Sequence, residues 1–271
     1  MSAVTSADLA RDRRHIALGS LRIEVMDQRT CVERIATAAA TRAGLWVVTA
    51  NADIARLCEH DRSIASLVAD ADLVVADGMP LVWASRILRQ PLPERVCGSN
   101  LVWSLAHRAA ADGFSLFLLG GGAPATAQRA AAVLTERYPG LRIAGSHFPP
   151  FGFESDAREL ERIREALRET RPALVYVALG FPKAERLISE LRGQFPEVSW
   201  IGVGISLSFV AGEIPRAPLW MQRTGLEWLH RLSKEPRRLI VRYLWHDIPF
   251  VIRLLAWSWY QRLRTGGHSK R

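Results

Sequence analysis

The sequence predicts an α/β protein, a mostly parallel β-sheet flanked by helices and followed by a basic helical appendage. Three observations lead there. Short β-rich runs alternate with Ala/Arg/Leu-rich segments of helical period, which is the wiring of parallel strands joined by crossover helices. Near Pro215 the strand pattern stops and an apolar, basic helical pattern takes over. The charge divides at the same place. The 271 residues hold 36 Lys+Arg against 27 Asp+Glu, a formal +9, but there are 24 of each sign up to Glu213 and 12 basic against 3 acidic beyond it. With 49% hydrophobic and 23% charged residues, the composition excludes a disordered or fibrous chain.

Taken in order, the expected strands are 21–25, 45–50, 72–76, 115–119, 141–145, 174–179 and 199–203, each a short run rich in Val, Ile, Leu and aromatic residues. Good helix formers lie between them, for example 124–138 and 156–170, the second opening on a Ser155/Asp156 cap signal. Such an open sheet is Rossmann-like. The boundary after Glu213 divides the chain into 1–213, an α/β domain, and 214–271, an appendage in which Leu226, Leu229, Leu232, Leu239, Ile240, Tyr243 and Leu244 keep helical spacing. Five of the nine tryptophans fall in the appendage: Trp220, Trp228, Trp245, Trp257 and Trp259.

Cys31, Cys58 and Cys97 are too few and too scattered for a disulfide framework and suit a reducing compartment, so a cytoplasmic location is expected. Met1 to His15 is polar, with Arg11-Asp12-Arg13-Arg14 and no apolar run behind it, which predicts neither a signal peptide nor an anchor there. The late apolar stretch 248–260 carries Arg253 and falls short of the ~20 residues a spanning helix needs.

Ligands of open parallel sheets collect outside the carboxyl ends of the strands. The residues expected there are Thr49, Asn51 and Asp53; Asp77 and Gly78; Gly120, Gly121 and Gly122; and Gly180, Pro182, Lys183 and Glu185. Asp77 follows Leu73-Val74-Val75-Ala76, where partial desolvation suits a general base, although Asp-Gly after a strand is also an ordinary turn or cap. Asn51 and Asp53 carry the same ambiguity.

Gly120-Gly121-Gly122-Ala123-Pro124-Ala125 stands between a strand and a helix, a geometry that offers backbone N–H groups to phosphate. The next strand ends in Gly145-Ser146-His147 without the acidic residue a dinucleotide fold wants, which disfavours an NAD enzyme and leaves a nucleotide diphosphate open. No cofactor is expected, and no metal: the seven histidines are dispersed and no Cys/His group has ligand spacing. Asp70-Ala71-Asp72 has a D-x-D form but precedes its strand and reads as a helix-to-strand turn. No G-x-S-x-G nucleophile motif occurs.

The tail admits three readings: an interfacial anchor with a phosphate site, a solvated helical face, or a nucleic-acid surface. Arg matches phosphate oxygens and Trp prefers the membrane–water boundary, which favours the first. The apolar spacing runs through the basic residues and no groove-reading motif appears, which speaks against nucleic acid.

Val48-Thr49-Ala50-Asn51-Ala52-Asp53, Ala71-Asp72-Leu73-Val74-Val75-Ala76-Asp77-Gly78, Pro91-Leu92-Pro93-Glu94-Arg95-Val96-Cys97-Gly98, Leu179-Gly180-Phe181-Pro182-Lys183, and a tail with Arg216-Ala217-Pro218, Gly225-Leu226-Glu227-Trp228-Leu229 and Glu235-Pro236 together resemble the WecG/TagA/CpsF glycosyltransferases from about Leu18 to Tyr243. The resemblance implies an inverting, metal-independent transferase in surface polysaccharide assembly. It would move a sugar from a UDP-sugar donor to a polyprenyl-diphosphate-linked sugar acceptor, working peripherally on the inner face of the cytoplasmic membrane with anionic lipid as a partner. N-acetylmannosamine, its uronic acid and glucose are the family's sugars; a homo-oligomer stays open.

By the same resemblance Asp77 is the base. Thr49 and Asn51 bind sugar or nucleotide, Gly120–Gly122 accommodates the nucleotide, and Lys183 and Glu185 contact substrate. Arg95 matches the family's loop arginine, while Arg231, Arg238 and Arg242 match appendage arginines that close over a diphosphate. Two positions depart from the pattern: Ala184 stands where glutamine is common, and Ser208 where aspartate often precedes the phenylalanine, here Phe209.

Overall fold

The computed structural model describes residues 14–234 and 236–266; the polar segment with Arg11, Asp12 and Arg13 lies outside them. In chain order the elements are β1 (His15–Leu18), β2 (Leu21–Glu24), α1 (Gln28–Thr41), β3 (Leu45–Ala50), α2 (Ala52–His60), α3 (Arg62–Ala69), β4 (Leu73–Ala76), α4 (Met79–Ile87), α5 (Gly98–Asp112), β5 (Ser115–Gly120), α6 (Thr126–Arg137) and β6 (Arg142–His147). They continue with α7 (Ala157–Thr170), β7 (Leu174–Ala178), α8 (Lys183–Leu191), β8 (Ser199–Gly202), α9 (Ser206–Val210), α10 (Leu219–Thr224), α11 (Glu227–Lys234), α12 (Pro236–Ile240), a π-helical turn (Val241–Asp247) and α13 (Ile248–Gly266).

Six strands form one parallel sheet in the order β4-β3-β8-β7-β5-β6. Strand side chains alternate between two cores. Trp46, Val48, Val74, Phe117, Val175 and Trp200 pack with α2, α3, α4, α7 and α8; Val47, Val75, Leu116, Leu118, Tyr176 and Ile201 pack with α1, α5, α6 and α9. Burial on both faces is why these strands read as unbroken apolar runs.

The expectation for 21–25 is corrected. That run pairs antiparallel with β1 in a separate hairpin turned at Gly19, whose φ of 61° suits glycine. The physical reason lies in its alternation: Leu21 and Ile23 are buried and Arg22 is exposed, the pattern of a strand covered on one face only. Asp70-Ala71-Asp72 is the turn the sequence suggests. Asp70 ends α3, and the Asp72 carboxylate accepts from the Trp46 amide at 2.8 Å and pairs with Arg192 at 3.1 Å, at the amino edge of the sheet.

The tail seats on the face that carries α2 and α4. Leu239, Tyr243, Phe250 and Leu254 are buried, and Phe250 and Leu254 belong to the same core as Trp46. Trp228 meets the Tyr243 ring edge-on at 6.0 Å. Its other side is left in solvent. Among the described residues, the exposed large apolar side chains all lie beyond Glu213 except Trp83 and Phe151. No helix among them is long and apolar enough to cross a membrane.

Candidate functional site

The site is built where β3 and β4 end. Ala50 and Ala76 are paired in register, and the Asp77 amide then donates to the Ala50 carbonyl at 2.7 Å, carrying the strand direction one residue further. The helix that follows is capped by Gly78, not by Asp77. Asp77 turns instead to the start of α5, where its Oδ2 accepts from the Gly98 amide at 3.1 Å. The path that brings Gly98 there is explicit: after α4 the chain returns so that the Val96 amide donates to the Ala76 carbonyl at 2.8 Å, which extends the sheet edge and delivers Cys97 and Gly98 onto the carboxylate.

A carboxylate facing the N-terminus of a helix as long as α5 is favoured by that helix's dipole. Glycine keeps the contact close. A Cβ at position 98 would come 3.2 Å from Thr49 Oγ1 and 3.6 Å from Asp77 Oδ2, so Thr49, Asp77 and the Gly98 amide crowd into one small space. Thr49 is held from the other side by donating to the Gly202 carbonyl at 3.4 Å. Burial outweighs the attractions at Asp77: desolvation pushes its pKa up to about 6, against the pull of Arg95, Cys97 and the Gly98 amide. Such a group is ionised at neutral pH yet able to take a proton.

Arg95 lies next to Asp77 without pairing with it. Its Nη1 is 3.0 Å from Oε2 of Glu227, the first residue of α11, and the other Glu227 oxygen is 3.3 Å from Arg216 Nε. Arg216 Nη2 reaches the Cys97 thiol at 3.7 Å, and burial pushes that thiol up to about 12. Thus the tail contributes both a cation and an anion to the surroundings of Asp77.

Asn51 caps α2, its Oδ1 accepting from the Ile54 amide at 3.1 Å, which leaves its amide hydrogens as what it can offer a ligand. Further along the carboxyl edge, Gly120 and Gly121 have φ of 93° and 135°. A Cβ at Gly120 would lie 2.7 Å from the Ala178 carbonyl, and one at Gly122 2.7 Å from Ser208 Oγ. The close approaches that demand these glycines are therefore to the chain's own atoms. Glu213 ties the turn together, accepting from Thr126 Oγ1 at 2.7 Å and pairing with Arg129.

Lys183 pairs with Glu154 and sits 4.8 Å above the exposed Phe151 ring. Glu185 is buried with Oε2 unpartnered, and desolvation pushes it up to about 7. It fits because residue 202 is glycine: a Cβ there would be 2.5 Å from Glu185 Oε1. Ala184 is buried against the same glycine.

A family model of the WecG/TagA/CpsF glycosyltransferases matches residues 16–264. The chain belongs to this family. It is 31% identical over 195 residues to an N-acetylglucosaminyldiphosphoundecaprenol N-acetyl-beta-D-mannosaminyltransferase of Bacillus spizizenii, covering 72% of this chain and 73% of the relative. It is likewise 31% identical over 210 residues to a protein of the same description from Staphylococcus aureus (strain MW2), covering 77% and 80%. The WecG/TagA/CpsF match makes the chain a glycosyltransferase and takes in most of α13, beyond the Tyr243 at which the sequence resemblance stops.

In this member of the WecG/TagA/CpsF family, Asp77, Thr49 and Arg95 come together, while the glycine turn and Lys183 lie across β8 toward the far side of the sheet edge. Arg242 is engaged elsewhere, 3.0 Å from Asp53 and 3.4 Å from Asp247. Arg231 is half-buried with an unpartnered Nε, and the Arg238 side chain lies outside the described residues. Sequence reasoning missed Gly98, Cys97, Arg216 and Glu227 as neighbours of Asp77. All four stand in the family-like segments, but only the return of the chain through Val96 and the docking of α11 put them beside Asp77.

Proposed function

We propose that the protein is an inverting, metal-independent transferase that uses a UDP-sugar, with N-acetylmannosamine the first donor to test, and a polyprenyl-diphosphate-linked N-acetylglucosamine acceptor. The observation that carries the reading is Asp77, desolvated at the end of β4 and held by the Gly98 amide beside Thr49. In this scheme an acceptor hydroxyl oxygen attacks the anomeric carbon from the face opposite UDP. The new C–O bond forms as the anomeric carbon–phosphate oxygen bond breaks, and the hydroxyl proton passes to Asp77.

Thr49 and Asn51 bind and orient sugar or nucleotide, the 120–122 turn receives the nucleotide, and Lys183 contacts substrate. Glu185, buried as it is, acts from beneath the crevice. Arg95 and the tail arginines Arg231, Arg238 and Arg242 stabilise charge on the departing diphosphate. For Arg242 this requires opening its pairs with Asp53 and Asp247. About three strand spacings, roughly 14 Å, separate β3 from β5, room for donor and acceptor along one edge. The division into a 1–213 catalytic domain and a 214–271 appendage belongs to the same proposal.

A panel of UDP-sugars offered to a synthetic acceptor tests this directly, and turnover of none of them refutes it. Chelator should leave the rate within about twofold of its value with magnesium, since arginines take the role a metal plays elsewhere. Loss of activity in chelator would reject the metal-independent scheme.

The outward side of the tail is proposed as the contact with an anionic bilayer on the inner face of the cytoplasmic membrane. Trp220, Trp245 and Trp259 are among its most exposed side chains, and exposed aromatics on basic helices have the chemistry of an interfacial anchor. Serine at all three should reduce flotation with anionic vesicles by about tenfold or more without lowering the melting temperature. Unchanged flotation would move the membrane contact to another face.

A further inference from the structure

Glu227, Arg95 and Arg216 form a charged trio whose side chains are only 12%, 14% and 19% exposed, drawn from three separate stretches of chain. Burying such a trio is a poor stability device, because desolvation of the ions offsets most of their attraction and apolar replacements often do as well. Its position suggests a different use. Arg95 acts on Asp77 through space and pulls its pKa down, yet among the described residues no ion pair joins the two, because the guanidinium is turned to Glu227. A base closed into an ion pair with arginine binds its proton weakly and is poorly placed to remove one.

We propose that Glu227 is a positioning residue of the transfer reaction: by bridging Arg95 and Arg216 it holds Arg95 beside Asp77 but off it, and so makes a competent base conditional on docking of α11. The inference rests on the reading of Asp77 as the base. The charged and titratable groups acting on Asp77 are Arg95 and Cys97 from the loop before α5 and Glu227 from α11, with Arg216 behind Cys97. Arg95 favours the ionised carboxylate; Glu227 opposes it.

The test is the pH profile of kcat/KM with UDP-N-acetylmannosamine and the lipid-linked acceptor, or with whichever UDP-sugar the panel finds active. Glu227→Gln should move the acid limb down by about one pH unit and lower kcat/KM on the plateau about tenfold, as Arg95 closes on the carboxylate. Glu227→Asp should recover part of both. Arg95→Gln should move the limb up, and the Glu227→Gln/Arg95→Gln double variant should bring it back toward the parent, since losing Glu227, which raises the Asp77 pKa, offsets losing Arg95, which lowers it.

A limb unmoved in Glu227→Gln overturns the proposal where Asp77→Asn is inactive. Should Glu227→Gln fail to fold, Arg95→Gln decides alone, and an unmoved limb there overturns it equally. Full activity in Asp77→Asn is the separate sign that the base itself is misassigned.

Discussion

Asp77→Asn should lower kcat/KM by about 10²–10⁴-fold while leaving the protein folded, the range that loss of a positioned general base produces. Asparagine keeps the size of the side chain and an oxygen that can accept from the Gly98 amide, so the 3.1 Å contact survives and only the proton acceptor is lost. In the parent, kcat/KM should fall about tenfold per pH unit below about 6, where Asp77 takes up a proton. Glu185 also titrates in the region, at about 7, so the limb needs assigning. It should stay near 6 in Glu185→Gln and vanish with the activity in Asp77→Asn.

Stability supplies the control. The folded-state pKa of Asp77 lies above the value near 4 of an unfolded aspartate, so folding opposes its ionisation; that penalty is absent below about pH 4 and complete above about pH 6. The neutral amide of the Asp77→Asn variant carries no such penalty. At pH 8 the variant should therefore melt no lower than the parent, and a lower melting temperature with activity reduced in proportion would mean that the change acts through folding rather than through the base.

What could be read from the sequence follows from what each residue's neighbours are. Six of the seven expected strands lie in the sheet because residues such as Leu73-Val74-Val75-Ala76 are covered on both faces and leave a continuous apolar signature. The seventh carried its own warning: the alternation of Leu21-Arg22-Ile23 and the Gly19-Ser20 turn before it mark a half-covered hairpin. The place of Asp77 at the carboxyl end of a buried strand was legible from Leu73-Val74-Val75-Ala76, while its reading as a base rather than a cap came only with the family resemblance. Its partners were not, since Glu227 is 150 positions away and carries no local sign that it faces Arg95. The appendage was legible as basic and aromatic, but the inward turn of Phe250 and Leu254 was hidden in a stretch where nearly every residue is apolar. Periodicity cannot choose between two apolar faces of one helix.

That hidden half of the tail leads to the second large effect. Phe250→Ala should destabilise the protein by about 3–5 kcal/mol, since Phe250 is 2% exposed and its removal leaves a cavity in a core shared with Trp46 and Leu81. For a chain of this size the melting temperature should drop by about 10 °C. Activity at a temperature where the variant is still folded should drop as well, because α13 packs on α4 and connects through the π-helical turn and α12 to α11, whose Glu227 meets Arg95. The alternative is that Phe250 serves only the global fold. Then kcat/KM, corrected for the folded fraction, stays at the parent value and the acid limb does not move. Coupling through the tail demands the opposite: a limb displaced in the same direction as in Glu227→Gln, with partial recovery in Phe250→Leu, which refills most of the cavity while leaving every charge in place.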